Sequence, residues 1–119
     1  MPPDESLVVV TGATGYVGGR LVPQLLARGH TVRCVARRPE ELSDRLWKDE
    51  VEIIQADLSR SDEVEFALKG ATAAYYLLHS MSSSDDFAEV ESAMAEQFAL
   101  TAESEGLRQI IYLGGLGHD

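Results

Sequence analysis

Short runs of consecutive apolar residues alternate along this chain with stretches in which apolar positions recur every three or four residues. The first run, Leu7-Val8-Val9-Val10, is β-branched and has no polar interruption, as expected of a strand buried on both faces of a parallel sheet. It stops at Thr11-Gly12. From Val17 to Ala27 the spacing of Val17, Leu21, Val22, Leu25 and Leu26 predicts a helix, with Gly29 as its stop. Pro23 inside it allows a kink or an early first turn. Thr31 to Ala36 reads as the second strand, Glu40 to Lys48 as a short polar helix and Val51 to Ala56 as the third strand. Residues 61 to 69 read as a helix with Ser61 as N-cap, acids in its first turn and Gly70 beyond its end.

Ala73-Ala74-Tyr75-Tyr76-Leu77-Leu78 is apolar throughout, which predicts a central fourth strand. Ser82-Ser83-Ser84 precedes a long helix, about Asp86 to Glu105, whose Phe87, Val90, Met94 and Phe98 lie near one face and are expected to pack on the sheet. Gly106 ends that helix, and Gln109 to Leu113 is the fifth strand. Five strands alternating with four helical segments imply a parallel α/β sheet wound by right-handed crossovers.

The loop between first strand and first helix is Thr11-Gly12-Ala13-Thr14-Gly15-Tyr16-Val17-Gly18-Gly19. Glycine at every third position, where backbone turns from sheet into helix, suits a dinucleotide. Gly12 permits the tight turn, Gly15 lets a pyrophosphate approach the main chain, and Gly18 lets the helix pack closely on the strand. The diphosphate would rest on the N–H groups of Tyr16 and Val17 at the positive end of the helix dipole. The fold class is therefore a Rossmann-type, doubly wound parallel sheet of order 3-2-1-4-5, with its crevice between the first and fourth strands. The alternative is an inherited turn that binds nothing. No Gly-Lys-Ser/Thr follows, so a P-loop is excluded.

About twenty residues past Gly18, where an NAD-selective protein usually places an acid for the ribose 2′-hydroxyl, this chain has Arg37-Arg38. Guanidinium groups can grip a 2′-phosphate with paired donors, so NADP is expected over NAD, against the alternative of a solvated arginine pair. Glu40 and Glu41 come next and could swing back to a ribose. Asp57, followed by Leu58, closes the third strand, where it can accept from the adenine amino group or cap the next turn. His79 and Ser80 leave the fourth strand toward the crevice and are expected to line the nicotinamide ribose; sequence neighbours at a strand end do not form a nucleophile and base pair.

Charge narrows the partners. Twenty acids against ten bases give a net charge of −10, which argues against nucleic acid and membrane surfaces. Seven of those ten bases fall within residues 20 to 48, so a small anion still finds a home in the first third. At 119 residues the chain is one domain. Cys34 among apolar neighbours reads as a buried thiol in a reducing compartment, and His30 and His118 show no ligand spacing with it, so no metal is proposed. Met1-Pro2-Pro3-Asp4-Glu5 is too acidic and proline-rich for a signal peptide, and the expected location is the cytoplasm.

The glycine loop, Asp57-Leu58 after the third strand and Tyr112-Leu113-Gly114-Gly115-Leu116-Gly117 after the fifth resemble the atypical and extended short-chain dehydrogenase/reductases. More narrowly the chain is similar to NmrA-like, nucleoside-diphosphate-sugar-epimerase-like NAD(P)-binding proteins, in which a Leu-His-Ser-Met sequence like Leu78 to Met81 recurs. The resemblance implies that Gly12, Thr14, Gly15, Tyr16, Val17 and Gly18 bind the diphosphate, and Arg37 and Arg38 the 2′-phosphate. It further implies Asp57 and Leu58 at the adenine, with His79 and Ser80 on the nicotinamide side. Two departures stand out. Gly114-Gly115 occupies the place of a Ser or Thr hydroxyl, and no Tyr-x-x-x-Lys is present. Hence the chain is expected to be the N-terminal portion of a longer oxidoreductase or epimerase-like enzyme. The alternative is a non-catalytic NAD(P)-sensing regulator. A sheet ending at the fifth strand leaves an open edge, so the 119-residue chain alone is expected to self-associate.

Overall fold

The structure, a computed structural model, describes residues 7–12, 16–77 and 85–113. Strands β1 (Leu7–Thr11), β2 (Thr31–Ala36), β3 (Glu52–Gln55), β4 (Ala73–Leu77) and β5 (Gln109–Leu113) form one sheet of order β3-β2-β1-β4-β5. Every pairing is parallel, in the order that the glycine loop predicts. Among the described residues three α-helices accompany it: α1 (Tyr16–Ala27), α2 (Ser61–Leu68) and α3 (Asp85–Ser104).

Period-two alternation divides the core between the two faces of the sheet. Val8 and Val10 pack with Val22 and Leu25 of α1, Val32, Cys34, Leu42 and Trp47. Val9, Ala74 and Tyr76 pack on the opposite face with Val64, Ala67 and Leu68 of α2 and with Phe98 and Ala102 of α3. The Tyr76 and Phe98 rings meet nearly edge to face, 4.7 Å apart at 64°. Phe98 of the predicted apolar stripe is thus core, while the side chains of Phe87 and Val90 lie outside the described residues. Because α1 covers one face and α2 and α3 the other, the winding reverses between β1 and β4. β1 is buried from Val8 to Thr11, whereas β3 and β5 are the edges and Tyr112 stays 45% exposed.

Two expectations are corrected. Between β2 and β3 there is no helix from Glu40 to Lys48, but two single 3-10 turns, Pro39–Leu42 and Lys48–Glu50. A continuous α-helix would set Leu42 and Leu46 on one face; the chain instead buries Leu42 and Trp47, five positions apart, and leaves Leu46 exposed. The second concerns α2, whose N-cap is Arg60 in extended conformation, with Ser61 as its first helical residue. Glycine ends the helices as expected. After α1, Gly29 adopts φ 90° while its N–H bonds to Leu26 O and that of His30 to Leu25 O, which closes a Schellman motif.

Candidate functional site

The carboxyl end of β1 lies between β2 and β4, at the point where the winding reverses. Thr11, the last residue of β1, is buried and donates its hydroxyl to the Tyr75 carbonyl of β4 at 3.3 Å, which ties the two strands together beside the crevice. Gly12 follows at φ 73°, a left-handed conformation that a side chain would strain. Four residues on, α1 begins. Its first turn carries no acid, in contrast to α2, which has Asp62 and Glu63 there. The positive end of the α1 dipole is therefore left for an anion from elsewhere. Within this helix Gly18 is buried. Thr14, Gly15, His79 and Ser80 lie outside the described residues, as do the side chains of Tyr16 and Val17.

Across β1 from β4, the ends of β2 and β3 open into a cleft of about 490 Å³ lined by Arg37, Arg38, Gln55, Ala56, Asp57, Arg60 and Glu63. The strand pairing continues into its floor, where Ala56 N–H donates to Ala36 O at 3.1 Å and Gln55 Nε2 to the Arg37 carbonyl at 3.1 Å. Both Arg37 and Arg38 are exposed. Glu41, a possible ribose ligand by sequence, faces Arg38 at 3.7 Å.

Asp57 caps the turn that follows β3. Its Oδ1 accepts from the Ser59 N–H at 2.9 Å and the Ser59 hydroxyl at 2.7 Å. These two hydrogen bonds, aided by Arg37 and Arg60, hold its carboxyl below the usual carboxylate range, so it is ionised at neutral pH. The turn-capping alternative is therefore realised, and Oδ2 remains for a ligand. Leu58 is half-buried and packs against the core under α2 and α3.

Besides Gln55 and Ala56 at the end of the third strand, two charged residues of the cleft escape sequence reading. Arg60 and Glu63 reach it because the 57–60 turn, closed by Arg60 N–H to Asp57 O at 3.0 Å, folds the start of α2 back over β3. One Glu63 oxygen accepts the Asp57 N–H at 2.7 Å, and the other lies 3.2 Å from Arg60 Nε. The available signal was an arginine and an acid within six residues of Asp57.

A left-handed glycine at the switch point, a helix whose first turn carries no acid and an arginine-lined cleft at the next two strand ends define a dinucleotide-binding α/β domain. A family model described as NAD(P)H-binding matches residues 12–119, and the chain belongs to that family. It is 34% identical over 107 residues to the (4-alkanoyl-5-oxo-2,5-dihydrofuran-3-yl)methyl phosphate reductase of Streptomyces griseus subsp. griseus, covering 90% of this chain and 34% of that one. Against cinnamoyl-CoA reductase 1 of Oryza sativa subsp. japonica it is 27% identical, over 96% of this chain and 36% of the relative. Two solved structures share the fold. A short-chain dehydrogenase/reductase superfamily protein of Agrobacterium tumefaciens with bound NAD gives a TM-score of 0.70 at 24% identity, over 89% of this chain and 31% of that one. The triphenylmethane reductase of Citrobacter sp., complexed with NADP(H), gives 0.71 at 21% identity, over 88% and 36%. The NAD(P)-binding character that the resemblance implied is thereby borne out, with reductases among the relatives. The chain spans 13% and 36% of the lengths of the first two curated relatives. No described helix is long and apolar enough to cross a membrane, and no group of metal-ligating side chains occurs among the described residues.

Proposed function

We propose that the chain is the dinucleotide-binding part of an NADP-preferring reductase or epimerase-like enzyme of the short-chain dehydrogenase/reductase superfamily. In this reading residues 1–119 are the N-terminal portion of a longer cytoplasmic protein. The carrying observation is the pair Arg37 and Arg38, exposed at the end of β2 in a cleft next to the switch point, with no acid at that strand end. Gly12, Thr14, Gly15, Tyr16, Val17 and Gly18 hold the diphosphate on backbone N–H groups. Arg37 and Arg38 take the 2′-phosphate, Asp57 through Oδ2 and Leu58 meet the adenine, and His79 and Ser80 flank the nicotinamide ribose. The bound nicotinamide supplies hydride chemistry; the protein's own contribution is to bind and orient it. Gly114-Gly115, in place of a hydroxyl, favours a second reading in which the cofactor is sensed without turnover.

Calorimetric titration of the full-length protein with NADPH and NADH tests the first reading. Charge-assisted hydrogen bonds of roughly 1.5 to 3 kcal/mol predict NADPH tighter by about tenfold to a few hundredfold. Replacing Arg37 and Arg38 together with Ala erases that preference and leaves NADH binding nearly unchanged. Tighter binding of NADH by the unaltered protein would mean that the arginines are merely solvated. Substrate-independent binding with no turnover of NADPH by the full-length protein selects the sensing reading.

A further inference from the structure

We propose that Arg60 is a third determinant of cofactor choice, closing with Arg37 on the 2′-phosphate of the adenosine ribose, and that Glu63 is the residue that aims it. The inference rests on the NADP reading above and names residues which that reading does not use. Arg60 lines the same cleft as Arg37 and Arg38 although it lies on a different element, the N-cap of α2. Its ion pairs with Glu63 at 3.2 Å and Asp62 at 3.8 Å both fall on Nε, not on the terminal nitrogens. Those are the two donors that can engage a phosphate side by side. Glu63 fixes this arrangement at both ends, since its second oxygen is anchored on the Asp57 N–H at 2.7 Å.

Three guanidinium groups and two carboxylates, Asp57 and Glu63, line the cleft, while Glu41 and Asp62 pair with Arg38 and Arg60 from outside that lining. Arg38 is drawn toward Glu41 at 3.7 Å, away from an undivided role at a ligand. Arg37 and Arg60, by contrast, line the cleft from two different elements, and both help to hold the Asp57 carboxyl low. An anion in the cleft meets arginines from two elements, the end of β2 and the start of α2, while Ser59 holds Oδ1 of Asp57.

The test uses the full-length protein and two pairs of ligands that differ only in the phosphate: NADPH against NADH, and adenosine 2′,5′-bisphosphate against 5′-AMP. Arg60→Met should weaken NADPH and the bisphosphate about tenfold while NADH and 5′-AMP stay within about twofold, and Arg60→Lys should recover part of the loss. Glu63→Gln, which keeps an acceptor for the Asp57 N–H but drops the charge beside Arg60, should fall between the unaltered protein and Arg60→Met. A merely structural Arg60 would lower both members of each pair alike, and that result overturns the assignment, as does no change at all. If Arg37→Ala with Arg38→Ala abolishes the preference and Arg60→Met preserves it, the NADP reading stands and only the Arg60 assignment falls. An unaltered protein that does not distinguish the members of either pair sinks both.

Discussion

Gly12 and Cys34 show how far one position can be constrained. At φ 73° Gly12 sits where an L side chain costs about 1–2 kcal/mol, and it does so at the head of the phosphate-binding turn. Gly12→Val should therefore lower the melting temperature and abolish dinucleotide binding, as followed by thermal unfolding with and without NADPH. A variant of unchanged stability would show that the turn relaxes freely. Cys34 is fully buried among Val8, Val10 and Val32, and desolvation pushes its thiol up to about 12 from an ordinary 9.0. The folded state thus favours the neutral thiol. Below pH 9 both folded and unfolded chains carry it neutral; between 9 and 12 only the unfolded chain ionises, so its share of stability is lost over that window. A thiol reagent at pH 8 should leave the native protein unlabelled and modify one group once denaturant is added. Rapid native labelling would contradict this burial.

Among the elements, β2 carries a polar clamp that ties three of them together. Arg33 pairs with Glu52 directly across on β3 at 2.9 Å, while its Nη1 donates to the Ala67 carbonyl at 2.7 Å and the Lys69 carbonyl at 2.9 Å, at the end of α2. A cation there meets both orphan carbonyls and the negative end of the helix dipole. Its side chain is only 14% exposed, against 51% for Glu52. Arg33→Met strands those carbonyls and should destabilise the domain by about 2 kcal/mol, whereas Glu52→Gln, on the exposed side, should cost under about 1 kcal/mol. Urea denaturation of the two variants checks the order, and equal losses would mean that the cross-strand pair, and not the helix end, is what matters.

For the molecule as a whole, the consequence of the topology is an open side. β5 ends the sheet among the described residues, with Ile110 and Ile111 half-buried and Tyr112 exposed along it. An unpaired apolar edge is a template for another strand. The 119-residue chain should accordingly sediment as a dimer or larger species at high concentration, and Tyr112→Lys should shift it toward monomer. A monomer at every concentration would remove the edge as a cause of association.

Much of this was written in local pattern. Leu7 to Val10 and Ala73 to Leu77 became the inner strands because uninterrupted apolar runs must be covered on both faces, and the glycine spacing after Thr11 by itself marked the switch point. Arg37, Arg38 and Asp57 were recognisable because strand ends in such a sheet face the ligand. The crossover from Glu40 to Lys48 was not legible: its polar residues fit a helix, and only the room beneath α1 decided that Leu42 and Trp47 would be buried and Leu46 left in water. Arg60 and Glu63 escaped for a related reason. Local sequence assigns them to the start of a helix, and it takes the pairing of Ala36 with Gln55, together with the tight turn after Asp57, to carry them across more than twenty residues of chain to Arg37. Local preferences determined the strands, the glycine turn and the order of the sheet; the neighbours that share a cleft were decided by long-range pairing, which no window of sequence contains.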